Sequence, residues 1–162
     1  MKKVSTLIAY FSHSGNTRVV ADKIHKIAGG EIFEIVPVNQ YPHEYNAVVE
    51  QARKELDQDY RPALKTKAEN IYSYDLVFIG YPNWWGTIPR PVAAFLPEYD
   101  LAGKTIAPFC THEGSGLGRS VEEIKSICSK STVMNGLAIR GGNVKNSQEE
   151  INTWLLEVGF KD

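Results

Sequence analysis

The chain of 162 residues carries 18 Lys and Arg against 19 Asp and Glu, and a net charge of −1 excludes the basic face that nucleic acid or an anionic membrane would require. That length suits one domain, residues 1–162, able to bury roughly 68–70% of the surface its unfolded form exposes. Cys110 and Cys128 lie far apart, without CxxC spacing or a histidine cluster, which excludes a zinc site and a disulfide framework and points to a reduced, cytoplasmic protein.

Met1-Lys2-Lys3 followed by an apolar run over residues 4–11 has the outline of a signal peptide, but the run ends in a Ser-Gly-Asn-Thr turn rather than a small-residue cleavage site and reads as a first strand. Val20, Ala21, Ile24, Ile27 and Ala28 then recur at helical spacing until Gly29-Gly30 stops them. A second strand is predicted over residues 31–36, halted by Pro37, and a helix over 46–56 with Val48, Ala52 and Leu56 on one stripe. Residues 57–73 are mostly polar and read as a surface loop.

Residues 76–81 form a nearly continuous apolar run, the pattern of a strand covered on both faces. Pro89 and Pro91 suit entry to a helix over 92–96, and a fourth strand follows over 104–110. Leu117, Val121, Ile124 and Cys128 fall on one helical face, as do Ile151, Trp154, Leu155 and Val158 near the end of the chain. Between those two helices, residues 133–139 read as the fifth strand. Five strands alternating with five helices predict an α/β fold with a doubly wound parallel sheet. No apolar run approaches the ~18 residues of a membrane span, and no Asn-x-Ser/Thr acceptor is present.

Ligands of such sheets bind outside the carboxyl ends of the strands, where the winding reverses. Three turns of unusual composition are expected to meet there. The first, Ser12-His13-Ser14-Gly15-Asn16-Thr17, leads from a strand into a helix. Its backbone N–H groups, three hydroxyls and helix dipole suit a phosphate, although an ordinary connection with an Asn or Thr cap would share several of these features. The second, Pro82-Asn83-Trp84-Trp85-Gly86, sets two adjacent indoles in a turn, where a flat aromatic ligand is a good partner and one of the pair is expected to plug the core. The third, residues 111–118, is rich in Gly and Ser and permits close backbone approach to a ligand. A Walker loop is excluded because Gly103-Lys104-Thr105 has Glu98 where the upstream glycine belongs, and Arg119 breaks a dinucleotide fingerprint on Gly114, Gly116 and Gly118.

Through Tyr10-Phe11-Ser12 with Gly15-Asn16-Thr17, Tyr81-Pro82-Asn83-Trp84-Trp85-Gly86, and Phe109-Cys110-Thr111-His112-Glu113-Gly114-Ser115-Gly116, the chain resembles the flavodoxin-like family, in particular its short flavodoxin branch, over nearly all its length. The resemblance implies a five-stranded sheet of order 2-1-3-4-5, the order for which flavodoxin is a standing example. It also implies FMN as cofactor. Residues Ser12, His13, Ser14, Gly15, Asn16 and Thr17 would hold the phosphate, and Pro82, Asn83, Trp84, Trp85 and Gly86 would lie against the ring. Thr111, His112, Glu113 and Gly114 would face its pyrimidine side. A cation there would stabilise reduced, anionic flavin and the Glu113 carboxylate would oppose it. Cys110, at a strand end beside the site, reads as a small buried hydrophobe or, alternatively, a redox thiol.

The implied function is flavodoxin-type electron transfer between protein partners; the alternative is an NAD(P)H-dependent reductase of quinones or similar small acceptors. Carrier flavodoxins are strongly acidic, and this nearly neutral chain departs from them. The expected partners are redox proteins, or NAD(P)H and a small electron acceptor, with the chain a monomer or weak homodimer and neither nucleic acid nor membrane involved.

Overall fold

The computed structural model describes residues 5–160; Val4, placed in the first predicted strand, lies outside them. The elements in chain order are β1 (Thr6–Tyr10), α1 (Asn16–Ala28), β2 (Glu31–Glu34), α2 (Tyr45–Asp57), β3 (Leu76–Pro82), α3 (Arg90–Phe95), β4 (Thr105–His112), α4 (Ser120–Ile127), β5 (Thr132–Val133), β6 (Leu137–Arg140) and α5 (Gln148–Glu157). The strands form one parallel sheet in the order β2-β1-β3-β4-β5, with β6 also beside β4.

Every residue of β1 is buried, and all of β3 except Pro82, because helices cover both faces. One core layer gathers Val77, Ile79, Val92, Phe95 and Ile124 beneath α3 and α4. The opposite layer sets Ile8, Phe78 and Phe109 against Val20 and Ile24 of α1 and Ile151, Trp154 and Leu155 of α5. Trp154 also donates its indole N–H to the Asn135 carbonyl at 2.8 Å.

Three boundaries differ from the sequence reading for definable reasons. The predicted fifth strand is two strands, because three steps along β4 from Ile106 to Phe109 face four from Val133 to Leu137. Ile106 accepts from Met134 N–H, so Pro108, two residues on, also faces this side, where it has no N–H to give. The extra residue is absorbed as a bulge there. Helix α2 starts one residue early, capped by the Glu44 carboxylate, which accepts from Asn46 and Ala47 N–H at 3.1 and 3.0 Å. Its buried stripe is completed by Glu55, not by half-buried Leu56, since Glu55 accepts from the Tyr41 hydroxyl and from Gln51. Residues 57–73 are not wholly a surface loop: Leu64 bridges Pro37, and Ile71 is buried in a single 3₁₀ turn. No helix among the described residues is long and apolar enough to cross a membrane.

Candidate functional site

The connections after β1, β3 and β4 meet at one rim of the sheet and, with α2, enclose a cleft of about 920 Å³. His13, Ser14, Asn16, Pro82, Asn83, Trp84, Trp85, Gly86, Thr111, His112, Glu113 and Ser115 line it. Ser12, Gly15, Thr17 and Gly114 shape the turns without forming the wall.

In the first turn Ser12 Oγ accepts from the N–H groups of Gly15 at 3.2 Å and Arg18 at 3.3 Å, curling the backbone onto itself. Gly15 caps α1 without a side-chain bond, and the first helical turn carries no carboxylate. The positive end of a 13-residue helix meets the cleft beside Ser14 and Asn16, where Ser12 Oγ already takes the Gly15 and Arg18 N–H groups and the Glu113 carboxylate stands near Asn16. The Thr17 hydroxyl serves the interior instead, where its Oγ1 lies 2.7 Å from Thr111 Oγ1. His13 Nε2 is bonded to the Pro42 carbonyl at 2.9 Å. Arg18 is drawn away from the rim to Glu34 and the Tyr10 hydroxyl.

The second turn is a two-residue hairpin. Trp84 and Thr87 exchange backbone hydrogen bonds at 3.1 and 3.3 Å, and the two residues between them, Trp85 and Gly86, have φ of +57° and +81°. Two positive φ values define a type I′ turn, which glycine enters freely. A tryptophan held there stores on the order of 1–3 kcal/mol of backbone strain. The surroundings enforce it. Asn83 Oδ1 accepts from Gly86 N–H at 2.8 Å, Asn83 Nδ2 donates to the Gly116 carbonyl at 2.7 Å, and Arg119 N–H donates to the Gly86 carbonyl at 2.6 Å. A Cβ on Gly118 would stand 2.3 Å from that carbonyl oxygen. The close approach that the Gly-rich loop permits is thus to the neighbouring turn.

The two indoles divide. Trp84 packs edge-on against Phe11, Tyr41 and His13 at 5.3, 4.9 and 5.9 Å, capping the core. Trp85 is 50% exposed and donates its indole N–H to the Val49 carbonyl of α2 at 2.8 Å. Beneath the hairpin, Arg90 is buried and its Nη2 donates to both carboxylate oxygens of Glu123 at 2.8 Å, while Nη1 reaches Asp59 at 3.0 Å. Thr87 also donates to Glu123, so one carboxylate joins the hairpin to α3 and α4.

In the third turn His112 Nδ1 accepts from Gly114 N–H at 2.9 Å. The neutral ring therefore carries its proton on Nε2, available as a donor. Glu113 and Asn16 converge over Gly141, where a Cβ would lie 2.4 Å from Glu113 Oε1 and 2.6 Å from Asn16 Nδ2. Cys110 is buried with its thiol against the Thr111 and Gly116 carbonyls, and burial pushes its pKa up to about 12. A thiol so held is a packing group, not a nucleophile. Burial likewise raises Cys128 to about 11.

The sequence reading missed the fourth wall. His43, Tyr45, Val48, Val49 and Ala52 line the cleft from the start of α2. Their signal was a second apolar row, Tyr45 and Val49 at i and i+4, beside the Val48/Ala52 stripe.

A doubly wound parallel sheet in this strand order, with one cleft at the carboxyl rim, is the flavodoxin-like α/β architecture. The family model for flavodoxin matches residues 5–158, and the chain belongs to the flavodoxin family. Among solved structures, a candidate flavoprotein from Bacteroides eggerthii DSM 20697 is 34% identical, with 97% of this chain and 99% of that chain covered and a TM-score of 0.86. A flavoprotein from Lactobacillus acidophilus NCFM in complex with FMN is 24% identical, with 90% and 99% covered and a TM-score of 0.73. Fusobacterium nucleatum flavodoxin bound to flavin mononucleotide has the same fold at 15% identity, with 95% and 96% covered and a TM-score of 0.61. Comparison with curated proteins gives no match.

Proposed function

We propose that the cleft binds FMN and that the protein is a flavodoxin-type electron-transfer protein. The observation that carries this reading is the meeting, in one cleft, of the N-terminus of α1, whose first turn carries no acidic residue, with an exposed indole locked in a hairpin. The first feature suits a phosphate and the second a flat ring, and both fit FMN. FMN-bound structures of the same fold support the choice.

The N-terminus of α1 would hold the phosphate with Ser14 and Asn16, and the 83–86 hairpin would cover the ring. His112 would turn its Nε2–H toward the pyrimidine side, while the Glu113 carboxylate disfavours negative charge there and so lowers the reduction potential. Bound FMN supplies one- and two-electron redox chemistry. Two observations favour a second reading, the NAD(P)H-dependent reductase of small acceptors: the near-neutral charge and the apolar α2 wall. Titrating apoprotein with FMN tests the cofactor; failure to bind removes both readings. Mixing the loaded protein anaerobically with NADPH or NADH then separates them. Slow bleaching with NAD(P)H and ready bleaching with dithionite supports the carrier, and fast direct reduction supports the enzyme.

A further inference from the structure

Asn135 is the one asparagine of this chain that precedes a glycine; the other eight are followed by residues with side chains. Asn135-Gly136 falls between β5 and β6, where the bulge carries the chain out of the ladder. Asn135 is exposed, and among the described residues the Gly136 N–H meets no acceptor. A main-chain nitrogen held in a sheet has its proton engaged, and this one does not. Packing demands the glycine, since a Cβ on it would stand 2.9 Å from Leu117 Cδ2 and 3.0 Å from Val121 Cγ2. The fold therefore keeps, directly after Asn135, the one residue type with no side chain to shield its nitrogen. Gly136 also lines an open groove of about 420 Å³ along β6 and α5, which admits water to the same point.

We infer that Asn135-Gly136 is a self-modification site, at which the Asn135 amide is converted to a carboxylate, and that the conversion loosens the β5–β6 edge of the sheet. The Gly136 nitrogen bonds to Asn135 Cγ, the Cγ–Nδ2 bond breaks, and the amide nitrogen leaves as ammonia with the proton of the Gly136 N–H. The product is a five-membered imide. One water then opens the ring, giving aspartate when it attacks Cγ and isoaspartate when it attacks the main-chain carbonyl; no electron is transferred and no cofactor takes part. In isoaspartate the side-chain methylene becomes part of the main chain, which lengthens the link between β5 and β6. That link is fastened by the buried Trp154, whose indole N–H donates to the Asn135 carbonyl at 2.8 Å, and a longer main chain moves the carbonyl from its donor. Either product also adds a negative charge beside the groove that holds Glu149, Glu150 and Glu157, none of them ion-paired among the described residues.

The test incubates the full chain at pH 8 and 37 °C, natively and in guanidinium chloride, and maps the tryptic peptide 131–140, whose one asparagine is Asn135, by mass. Native Asn135 is expected to convert before any other asparagine, at a rate within about tenfold of the unfolded chain, because no hydrogen bond of Gly136 has to open first. The converted protein is expected to melt at a lower temperature than fresh protein. Asn135→Gln, whose longer side chain closes a ring far less readily, should keep both its mass and its melting temperature through the same incubation, and Asn135→Ser serves as the second variant. A native peptide that stays unmodified while the unfolded chain converts, or another asparagine that converts first, overturns the site. Converted protein with an unaltered melting temperature overturns the loosening. None of these outcomes depends on whether the protein holds FMN.

Discussion

The hydroxyls of Thr17 and Thr111, 94 residues apart in sequence, share a hydrogen bond of 2.7 Å. Both residues are buried, so the bond joins the first turn of α1 to the end of β4 and thereby sets the phosphate-suited turn against the third loop of the cleft. Replacing Thr111 by Val leaves the Thr17 hydroxyl without that partner at a cost of about 1–3 kcal/mol. The Thr17→Val/Thr111→Val double variant is expected to recover part of the loss. Urea unfolding of the four proteins measures the coupling, and strictly additive effects would count against it.

Arg90 is 3% exposed and faces two carboxylates. Arg90→Met is expected to destabilise the protein by about 3 kcal/mol, the lower end of the range for breaking a buried pair, because Glu123 and Asp59 retain some contact with water. Arg90→Lys, which keeps the charge but loses the two-pronged donor, is expected to fall in between. Guanidinium chloride denaturation checks the order; a Met variant as stable as wild type contradicts it.

Gly118 is where the third loop presses on the tryptophan hairpin. Its φ is +54°, and an added Cβ would meet the Gly86 carbonyl oxygen at 2.3 Å. Gly118→Ala must push the two turns apart, and it is expected to lower stability by more than about 1 kcal/mol and to weaken FMN binding. Thermal unfolding and flavin titration read the two effects separately. Gly103→Ala, also at positive φ but with open space around it, serves as the comparison and should leave FMN binding intact.

Cys110 links stability to pH. Burial raises its thiol from 9.0 to about 12, so the folded state holds this proton more tightly than the unfolded state. The contribution is full below about pH 9 and is lost as the pH rises toward about 12. Unfolding between pH 8 and pH 10.5 should show stability declining with pH, and the decline should be smaller in Cys110→Ala. In native protein at pH 8, Ellman's reagent is expected to label both cysteines far more slowly than in urea. Rapid labelling of native Cys110 would show that the thiol is accessible.

Much of this architecture can be read from local pattern. The apolar runs of β1 and β3, the stripe of α1 and the Gly, Ser and Trp punctuation of three turns each lie within a dozen residues. The break between β5 and β6 was also present in the sequence, as a proline at position 108, but only the strand pairing shows that Pro108 faces the fifth strand. Side-chain direction within the turns was not legible: Thr17 and Ser14 are both hydroxyls in the same turn, yet one is buried against Thr111 and the other lines the cleft. Trp84 and Trp85 are likewise identical in type and adjacent in sequence. Their different fates follow from a φ of +57° at Trp85, enforced by contacts from Asn83, Arg119 and Val49.

The sequence by itself determined the α/β class and which three turns carry the unusual chemistry, because periodicity and turn composition act over a few residues. The tertiary structure decided that α2 supplies a fourth wall, that Thr17 serves the interior and that one tryptophan of the pair stays exposed. Those outcomes depend on distant partners, Val49 at 36 residues from Trp85 and Thr111 at 94 from Thr17, and only the folded arrangement of sheet and helices brings them within hydrogen-bonding reach.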